Sequence, residues 1–244
     1  METQPALLGA RVLALRDIAT VRELQIGIES EGGHFDAVPA ITTIALPKWE
    51  RSISNALLTR ADGIIFTSHY ATEIVLATRE IYQKICDKKI ICIGPKTAAP
   101  FLNAGYPAHN IRFPSTPTSA AIMEDFSTEL TSELWIHPRS QLSTTDWLGS
   151  CRSVYPIAIY TTLPLTIAIN SPLEYDYVIH FSGSVARSFF NQFPTDLPQQ
   201  VHLAIGQQTL RYLKCSNKLI SDTPTQRDII KKIIDHRKQN AAKN

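Results

Sequence analysis

Hydrophobic and polar positions follow two alternating patterns along the whole chain. Short runs of β-branched and other apolar residues, typical of buried strands, are each followed by a segment with helical periodicity. Strands are predicted at residues 12–15, 63–66, 90–93, 134–137, 177–181 and 201–205. Helices are predicted at residues 21–31, 52–59, 71–82, 98–103, 119–130, 144–148 and 226–237. Strands that alternate with helices in this way predict an α/β fold with mostly parallel sheets.

Three short blocks of sequence occur twice, in the same order and at nearly the same spacing. Residues 62–68 resemble residues 176–182, residues 93–97 resemble 205–209, and residues 116–118 resemble 223–225. Both copies of the third block, Thr-Pro-Thr, precede an amphipathic helix. Self-similarity at a nearly fixed distance indicates related structural units. The chain is therefore predicted to form two lobes related by a degenerate internal repeat.

The order of the elements predicts that this repeat is permuted. After its Thr-Pro-Thr helix the first copy continues into strand 134–137, and no equivalent strand follows the second copy. The N-terminal strand 12–15 with Arg16 resembles strand 134–137 with Pro138 and Arg139. We therefore expect the N-terminal unit to complete the C-terminal lobe. The predicted domains are a discontinuous lobe of residues 1–37 and 164–244, a lobe of residues 47–153, and a two-stranded linker of residues 38–46 and 154–163.

Composition and charge remove several classes of protein. The 244 residues are 44% hydrophobic with 10 Gly and 15 Pro, which is ordinary for a globular protein. A net charge of +2 with 19% charged residues is too small for binding to a nucleic-acid backbone. The apolar runs are much shorter than a membrane-spanning helix, and the N-terminal segment lacks the basic cluster of a signal peptide. Four cysteines without metal-ligand spacing predict reduced thiols in a cytoplasmic protein.

A candidate ligand site lies where the predicted strands end. In an open parallel sheet, ligands bind beyond the carboxyl ends of the strands, where helix N-termini present free N–H groups. Matching residues occur there in both copies: Ser68 and Ser182, Gly94 and Gly206, Thr97 and Thr209, Arg16 and Arg139. We expect the glycines to allow a tight turn, the hydroxyls to bind the ligand, and the guanidinium groups to bind carboxylates. The structural alternative makes the Ser and Thr residues helix N-caps and the arginines solvated strand ends.

The sequence contains none of the common cofactor or metal motifs. It has no G-x-G-x-x-G after a strand, no phosphate-binding P-loop and no G-x-S-x-G nucleophile turn. Its 7 histidines are scattered without an H-E-x-x-H pair, which argues against a metal site. His180 and His202 fall inside predicted strands and are expected to be core or surface histidines, not acids or bases. We therefore expect a site of hydroxyls, backbone amides and a few cations, without a cofactor or metal.

The permuted α/β repeat without a cofactor motif resembles the uroporphyrinogen-III synthases, the cyclases of tetrapyrrole biosynthesis. The segments that carry this resemblance are residues 12–16, 64–68, 93–99, 104–105, 117–119, 138–139, 160–162, 181–182 and 205–209, which span nearly the full length of the chain. The sequence departs from the family pattern at Gln207-Gln208, at residues 180–183 and at Ser140. The first two departures lie in the C-terminal lobe.

The resemblance implies a monomeric enzyme of two lobes that needs no cofactor or metal. The implied substrate is hydroxymethylbilane, a linear tetrapyrrole with eight carboxylates. Its hydroxymethyl group leaves as water, and the resulting azafulvene cation closes to uroporphyrinogen III with inversion of ring D. A tyrosine at the position of Tyr160 is implied to assist the departure of the hydroxyl. The candidate substrate-binding residues are Arg16, Thr67, Ser68, Gly94, Pro95, Lys96, Thr97, Arg139, Ser182, Ser184, Gly206 and Thr209.

Two functions of different classes stay open at this point. The first is the cyclising lyase, for which the preceding enzyme of the pathway is a candidate transient partner. The second is a non-catalytic two-lobed binding or regulatory protein for another anionic small molecule. In both cases the ligand is expected in a cleft between the lobes, and neither nucleic acid nor a membrane is expected as a partner. For Tyr160, the structural alternative is a ring that only packs the linker.

Overall fold

The computed structural model describes residues 5–53 and 55–241, and it divides into two compact units. The first unit combines the chain up to Thr42 with the chain from Leu163 onward, and the second unit is Thr43–Thr162. Each unit is built around one mostly parallel sheet with helices between its strands. The predicted α/β class with mostly parallel sheets is therefore confirmed.

Strands and helices alternate over much of the chain, as the sequence predicts, but the strands at His34–Ala37, Ile111–Arg112 and Lys218–Ile220 and the helices at Gly183–Gln192 and Gln207–Leu210 are not among the predicted elements. The strands are β1 (Arg11–Ala14), β2 (His34–Ala37), β3 (Ile41–Ala45), β4 (Gly63–Phe66), β5 (Lys89–Cys92), β6 (Ile111–Arg112), β7 (Trp135–Ser140), β8 (Val154–Pro164), β9 (Tyr177–His180), β10 (Val201–Ala204) and β11 (Lys218–Ile220). The helices are α1 (Arg22–Ser30), α2 (Asn55–Arg60), α3 (His69–Ala77), α4 (Arg79–Ile85), α5 (Pro95–Asn103), α6 (Ser119–Asp125), α7 (Ser127–Ser132), α8 (Gly183–Gln192), α9 (Gln207–Leu210) and α10 (Gln226–Ala241).

The sheet of the first unit has the strand order β11-β10-β9-β1-β2, and its paired strands run parallel. The N-terminal strand β1 lies beside β9, with Val12 paired to Tyr177. Every residue of β9 and β10 is buried, as expected for parallel strands covered by helices on both faces. Ile28 of α1 and Ile233 of α10 belong to the same buried cluster, which holds these two helices on one face.

The sheet of the second unit has the strand order β3-β8-β7-β4-β5-β6. Its core on one face includes Phe66 and Phe101, whose ring centroids are 5.0 Å apart. On the other face Trp135 packs directly over Gly63, where a Cβ atom would lie 2.2 Å from the indole ring. Glycine at position 63 is therefore required by this close approach, and a larger residue there would displace the largest buried side chain of the unit.

The segment predicted as a linker strand at residues 154–163 forms β8 of the second sheet, next to β3 from the other predicted linker segment. β8 pairs with β7 from Val154 to Tyr160 and has β3 on its other side. Val154, Ile159, Tyr160 and Thr161 are buried. Because these side chains contribute to the core, the segment is held by packing and not only by its ends. Tyr160 accordingly belongs to the second unit.

Several predicted helices differ from those in the structure. The predicted helix 71–82 is divided at Thr78, whose backbone is extended with φ −95° and ψ 90°. The predicted helix 119–130 is divided at Phe126, where α6 ends and α7 begins. The predicted helix 144–148 is only a 3-10 turn at Asp146–Leu148, ended by Gly149 with a positive φ of 52°.

Parts of two predicted elements cannot be compared with the structure. Of the predicted helix 52–59, Ser54 lies outside the described residues, and the described helix α2 starts at Asn55. Residues 1–4 of the predicted first lobe and residues 242–244 at its end also lie outside them. Among the helices of residues 5–53 and 55–241, none has both the length and the apolar character needed to span a bilayer.

Candidate functional site

The first turn of α3 follows the carboxyl end of β4 and carries the most informative contacts of the second unit. Ser68 occupies the N-cap position of α3 with an extended backbone, but its side chain makes no capping hydrogen bond. It lies near the Tyr160 phenol and lowers the pKa of that group, which opposes the effect of burial. Ser68 therefore does not cap α3 with its side chain, and the capping alternative for this residue is wrong.

Tyr160 is held tightly at this sheet edge. Its residue is 9% exposed, and its ring packs edge-on against Tyr70 with centroids 5.2 Å apart. Burial raises the pKa of Tyr160 above its usual value, while the hydrogen bond with Ser68 opposes that shift. The phenol is therefore protonated at neutral pH and able to donate a hydrogen bond.

The same turn of α3 also binds the start of α5. The Nδ1 atom of His69 lies 2.8 Å from the carbonyl oxygen of Lys96, and the Thr72 hydroxyl donates to the carbonyl oxygen of Thr97 at 3.1 Å. The structure thus brings together Ser68, Tyr160 and the segment Gly94–Thr97, which the sequence assigned to the site separately. Sequence reasoning missed His69, Tyr70 and Thr72, although all three follow Ser68 directly in the first turn of a predicted site helix.

The roles expected for the paired glycines and threonines need correction. Gly94 and Gly206 have extended backbones, with φ of −177° and 172°, which any residue can adopt. They make no tight turn, and both are the N-cap residues of the following helices. Thr97 and Thr209 are the third residues of α5 and α9 and not their N-caps, and each is only 5% exposed.

The space beside the backbone is open at both Gly94 and Gly206. A Cβ at Gly206 would have nothing within 4 Å, and a Cβ at Gly94 would have only the Pro117 side chain at 3.8 Å among the described residues. Neither packing nor φ therefore requires glycine at these positions. Pro95 and Lys96 beside Gly94 are exposed, and Thr67 before Ser68 is half-buried.

Arg139 is less available to a ligand than the sequence suggests. It lies inside β7 and does not follow it, because the strand continues to pair with β8 as far as Ser140. Its Nη1 atom donates to the carbonyl oxygens of Ser140 at 2.8 Å and Ser143 at 2.7 Å. Its Nε atom is buried with no partner among the described residues.

The matching edge of the first unit is arranged differently. Ser182 is the N-cap of α8 and accepts from the Val185 backbone N–H at 3.2 Å. The Ser184 hydroxyl accepts from Nη2 of Arg187 at 3.3 Å. Arg16 is exposed and lies 5.0 Å from the ring centroid of Phe181. In this unit the hydroxyls of Ser182 and Ser184 both accept hydrogen bonds from within α8. The Arg16 side chain is exposed to solvent.

A surface pocket of about 570 Å³ opens beside Gly206 in the first unit. It is lined by Ile205, Gly206, Gln207, Gln208, Thr209, Ile220, Ser221, Asp222 and Pro224. It lies where β10 and β11 end, which is the edge of the sheet where ligands bind in folds of this kind. The candidate residues Gly206 and Thr209 therefore line a cavity within their own unit.

The histidines inside the sheets are not candidates for acid–base chemistry. His180 and His202 are buried and contact each other through Nε2 and Nδ1 at 2.9 Å. Burial lowers the pKa of His180 and lowers that of His202 to about 4. Burial likewise lowers the pKa of His137 in β7 to about 4. Of the two positions that the sequence left open for His180 and His202, core and surface, the structure shows the core.

Metal and thiol chemistry have no visible basis in the described part of the chain. Within residues 5–53 and 55–241, no group of three or more His, Cys, Asp or Glu side chains is arranged to hold a metal ion. The four cysteines are unpaired thiols. Burial raises the pKa of Cys92 to about 12, so this thiol is unreactive at neutral pH.

Comparison with known families decides the relationship. Residues 22–231 match the family model described as uroporphyrinogen-III synthase HemD. The chain belongs to this family. A comparison with curated proteins found no significant match.

Solved structures agree with this relationship in fold. A mutant uroporphyrinogen III synthase from the extremely thermophilic bacterium Thermus thermophilus superposes with a TM-score of 0.63 at 16% identity, over 95% of this chain and 100% of that chain. Two further structures of Thermus thermophilus uroporphyrinogen III synthase, the second of them the wild type, give TM-scores of 0.46 and 0.47 at 14% identity. These two cover 93% and 96% of this chain and 99% and 100% of their own.

Proposed function

We propose that the protein is a uroporphyrinogen-III synthase that dehydrates and cyclises hydroxymethylbilane with inversion of ring D. The observation that carries this proposal is the buried phenol of Tyr160, packed against Tyr70 and next to Ser68 at the carboxyl edge of the second sheet. It provides a neutral, oriented phenol at the place where the HemD family and the fold predict a ligand. The enzyme would act as a cytoplasmic monomer without a cofactor.

The chemical task of such an enzyme is mainly positioning. A linear bilane carries both reacting ends, and a protein that holds them in one geometry directs the ring closure to one isomer. The cation formed when water leaves must also be kept from solvent. Buried hydroxyls such as those of Thr97 and Thr209 suit this task because they offer hydrogen bonds without a competing nucleophilic charge.

The substrate carboxylates would bind to cations and backbone N–H groups at the sheet edges. In the first unit, Arg16 is exposed, and the open space at Gly206 lets an anion approach the backbone. In the second unit, the corresponding groups are Lys96 and the open backbone at Gly94. The remaining candidate residues, Thr67, Pro95, Arg139, Ser182 and Ser184, are proposed as supporting contacts.

Tyr160 is proposed to hydrogen-bond the departing hydroxyl of the substrate. Its raised pKa keeps the phenol protonated, so it can donate a hydrogen bond as the carbon–oxygen bond lengthens. Ser68 would fix the direction of that bond. A phenol is a weak acid. The hydrogen bond from Tyr160 would therefore stabilise the leaving hydroxyl without transferring a proton to it.

The test is to incubate the purified protein with hydroxymethylbilane and to separate the oxidised porphyrin isomers. The proposal expects the inverted isomer III to dominate, whereas a mixture without protein gives the uninverted isomer by spontaneous closure. Tight binding of the bilane with only the uninverted product would favour the non-catalytic binding protein and contradict the enzyme.

A further inference from the structure

His69 lies at the meeting point of the two segments that form the candidate site of the second unit. It is the first residue of α3, directly after Ser68, and its Nδ1 atom lies 2.8 Å from the Lys96 carbonyl oxygen at the start of α5. The next residue, Tyr70, packs against Tyr160. His69 is thus joined to both the Ser68–Tyr160 pair and the Gly94–Thr97 segment.

The contact between His69 and Lys96 has a cause in the sequence of α5. In an α-helix the carbonyl oxygen of residue 96 would accept from the N–H of residue 100, but that residue is Pro100 and has no N–H. A carbonyl oxygen can only accept, so Nδ1 of His69 must carry the proton in this contact. Pro100 therefore leaves an acceptor that fixes both the orientation and the tautomer of the imidazole.

The other ring nitrogen also faces an oxygen acceptor. Nε2 of His69 lies 3.3 Å from the Glu73 carboxylate, one turn further along α3. With Nδ1 and Nε2 both directed at acceptors, only the doubly protonated ring satisfies both contacts. The His69 side chain is 51% exposed, so its Nε2–H is accessible from outside the protein.

We propose that His69 donates the proton that turns the substrate hydroxyl into water, an inference that rests on the function proposed above. An imidazolium is a far stronger acid than a phenol, with unperturbed pKa values of about 6.5 and about 10. Nε2 gives its proton to the hydroxyl oxygen as the carbon–oxygen bond breaks, and water leaves. The positive charge remains on the bilane as the azafulvene cation, and Tyr160 holds the departing oxygen.

The proton returns later in the same reaction. When the ring closes, one pyrrole carbon loses a proton to restore its aromatic ring, and neutral His69 takes up one proton. The atoms and charges therefore balance over one turnover without an added reactant. The Lys96 carbonyl holds the ring through Nδ1–H during both transfers, and the exposed Glu73 carboxylate moves off Nε2 when the substrate hydroxyl takes its place.

His69→Asn separates this role from the structural one. The asparagine amide occupies the position of Nδ1 and can donate to the Lys96 carbonyl, but it has no counterpart of Nε2 and cannot donate a proton as an acid. His109→Asn is the matched control, because His109 is exposed and lies before β6 at the opposite edge of the same sheet. Turnover is expressed per folded molecule, with the folded fraction measured by circular dichroism.

We expect His69→Asn to lower kcat for bilane consumption by about 100-fold or more with little change in KM, since proton donation contributes about 10²–10⁴-fold. His109→Asn should retain the wild-type rate, and free imidazole should restore part of the activity of His69→Ala. A His69→Asn rate within threefold of wild type would overturn the role of His69 and leave the synthase function intact. Failure of the wild-type protein itself to form isomer III would instead overturn the proposed function, and this inference with it.

Discussion

Ser68 and Ser182 occupy equivalent positions in the two units but form different hydrogen bonds. Each lies two residues beyond the end of a central strand, β4 or β9, and at the N-cap of the following helix. Ser182 caps its helix, whereas Ser68 leaves its helix uncapped and binds Tyr160. Equal positions in sequence and fold therefore do not imply equal chemistry.

The difference originates in the neighbouring strands and not in the serines. The glycines, the threonines and the Thr-Pro-Thr blocks are alike in the two units. Thr118 accepts from the Ala121 N–H at 3.1 Å, and Thr225 accepts from the Asp228 N–H at 3.3 Å. β8, beside β7, supplies Tyr160, whereas β2, beside β1, carries no tyrosine. We infer that the second unit supplies the reactive side chains and the first unit mainly binds.

Tyr160→Phe removes the hydroxyl that distinguishes the second unit. Because a positioned donor contributes about 10²–10⁴-fold, we expect turnover to isomer III to fall by at least 100-fold. The ring packing against Tyr70 remains, so the unfolding midpoint in urea should change little. Tyr177→Phe is the control, since that hydroxyl contacts His236 at the opposite edge of the first sheet. Full turnover of Tyr160→Phe would show that the hydroxyl only supports packing.

Acid should destabilise both units, and the first unit more strongly. The pKa of His202 falls from 6.5 to about 4 on folding, so the unfolded chain binds more protons between these values. The stability that His202 contributes should be constant above pH 6.5 and decrease as the pH falls to about 4, by about 3 kcal/mol, and His137 should behave alike. The first unit buries the His180–His202 pair, while the second buries His137.

The tryptophans separate the two transitions. Trp49, Trp135 and Trp147 are the 3 tryptophans of the chain and lie in the second unit. Circular dichroism reports both units, whereas tryptophan fluorescence reports the second. We expect the dichroism signal to decrease at a higher pH than the fluorescence signal changes. Coincident transitions in both signals would contradict the expected difference.

Arg16→Ala and Arg139→Ala should differ in what they affect. Loss of a charge-assisted hydrogen bond costs about 1.5–3 kcal/mol, so each variant should bind the bilane tenfold or more weakly if its guanidinium contacts the substrate. Arg16 is exposed, and its removal should leave stability unchanged. Arg139 binds two backbone carbonyls, so its removal should also lower the urea midpoint. Unchanged affinity for the bilane in both variants would show that neither arginine binds the substrate.

Ser182→Ala and Ser68→Ala test the serine comparison directly. Loss of an N-cap costs about 1 kcal/mol, so Ser182→Ala should lower the free energy of unfolding by that amount. Ser68→Ala removes no cap and should change turnover more than stability, because it frees the Tyr160 hydroxyl. Equal losses of stability in the two variants would contradict the comparison.

The sequence predicts the central strands, but it misses β2, β6 and β11 and predicts the contacts of the site poorly, for physical reasons. Buried apolar runs define strands such as β4 and β10 to within one residue. The break at Thr78 has no Gly or Pro to mark it. The partner of Ser68 depends on a distant strand, and the role of His69 depends on an acceptor created by Pro100 on another helix. Such long-range contacts are not encoded in any local pattern.

The most direct test of the central claim is the isomer composition formed from hydroxymethylbilane by the wild-type protein. The reaction is stopped at early times, oxidised and separated, with a protein-free sample and Tyr160→Phe processed in parallel. Our account predicts mostly isomer III with the wild-type protein and mostly the uninverted isomer in the other two samples. The same uninverted product in all three samples would contradict the proposed synthase.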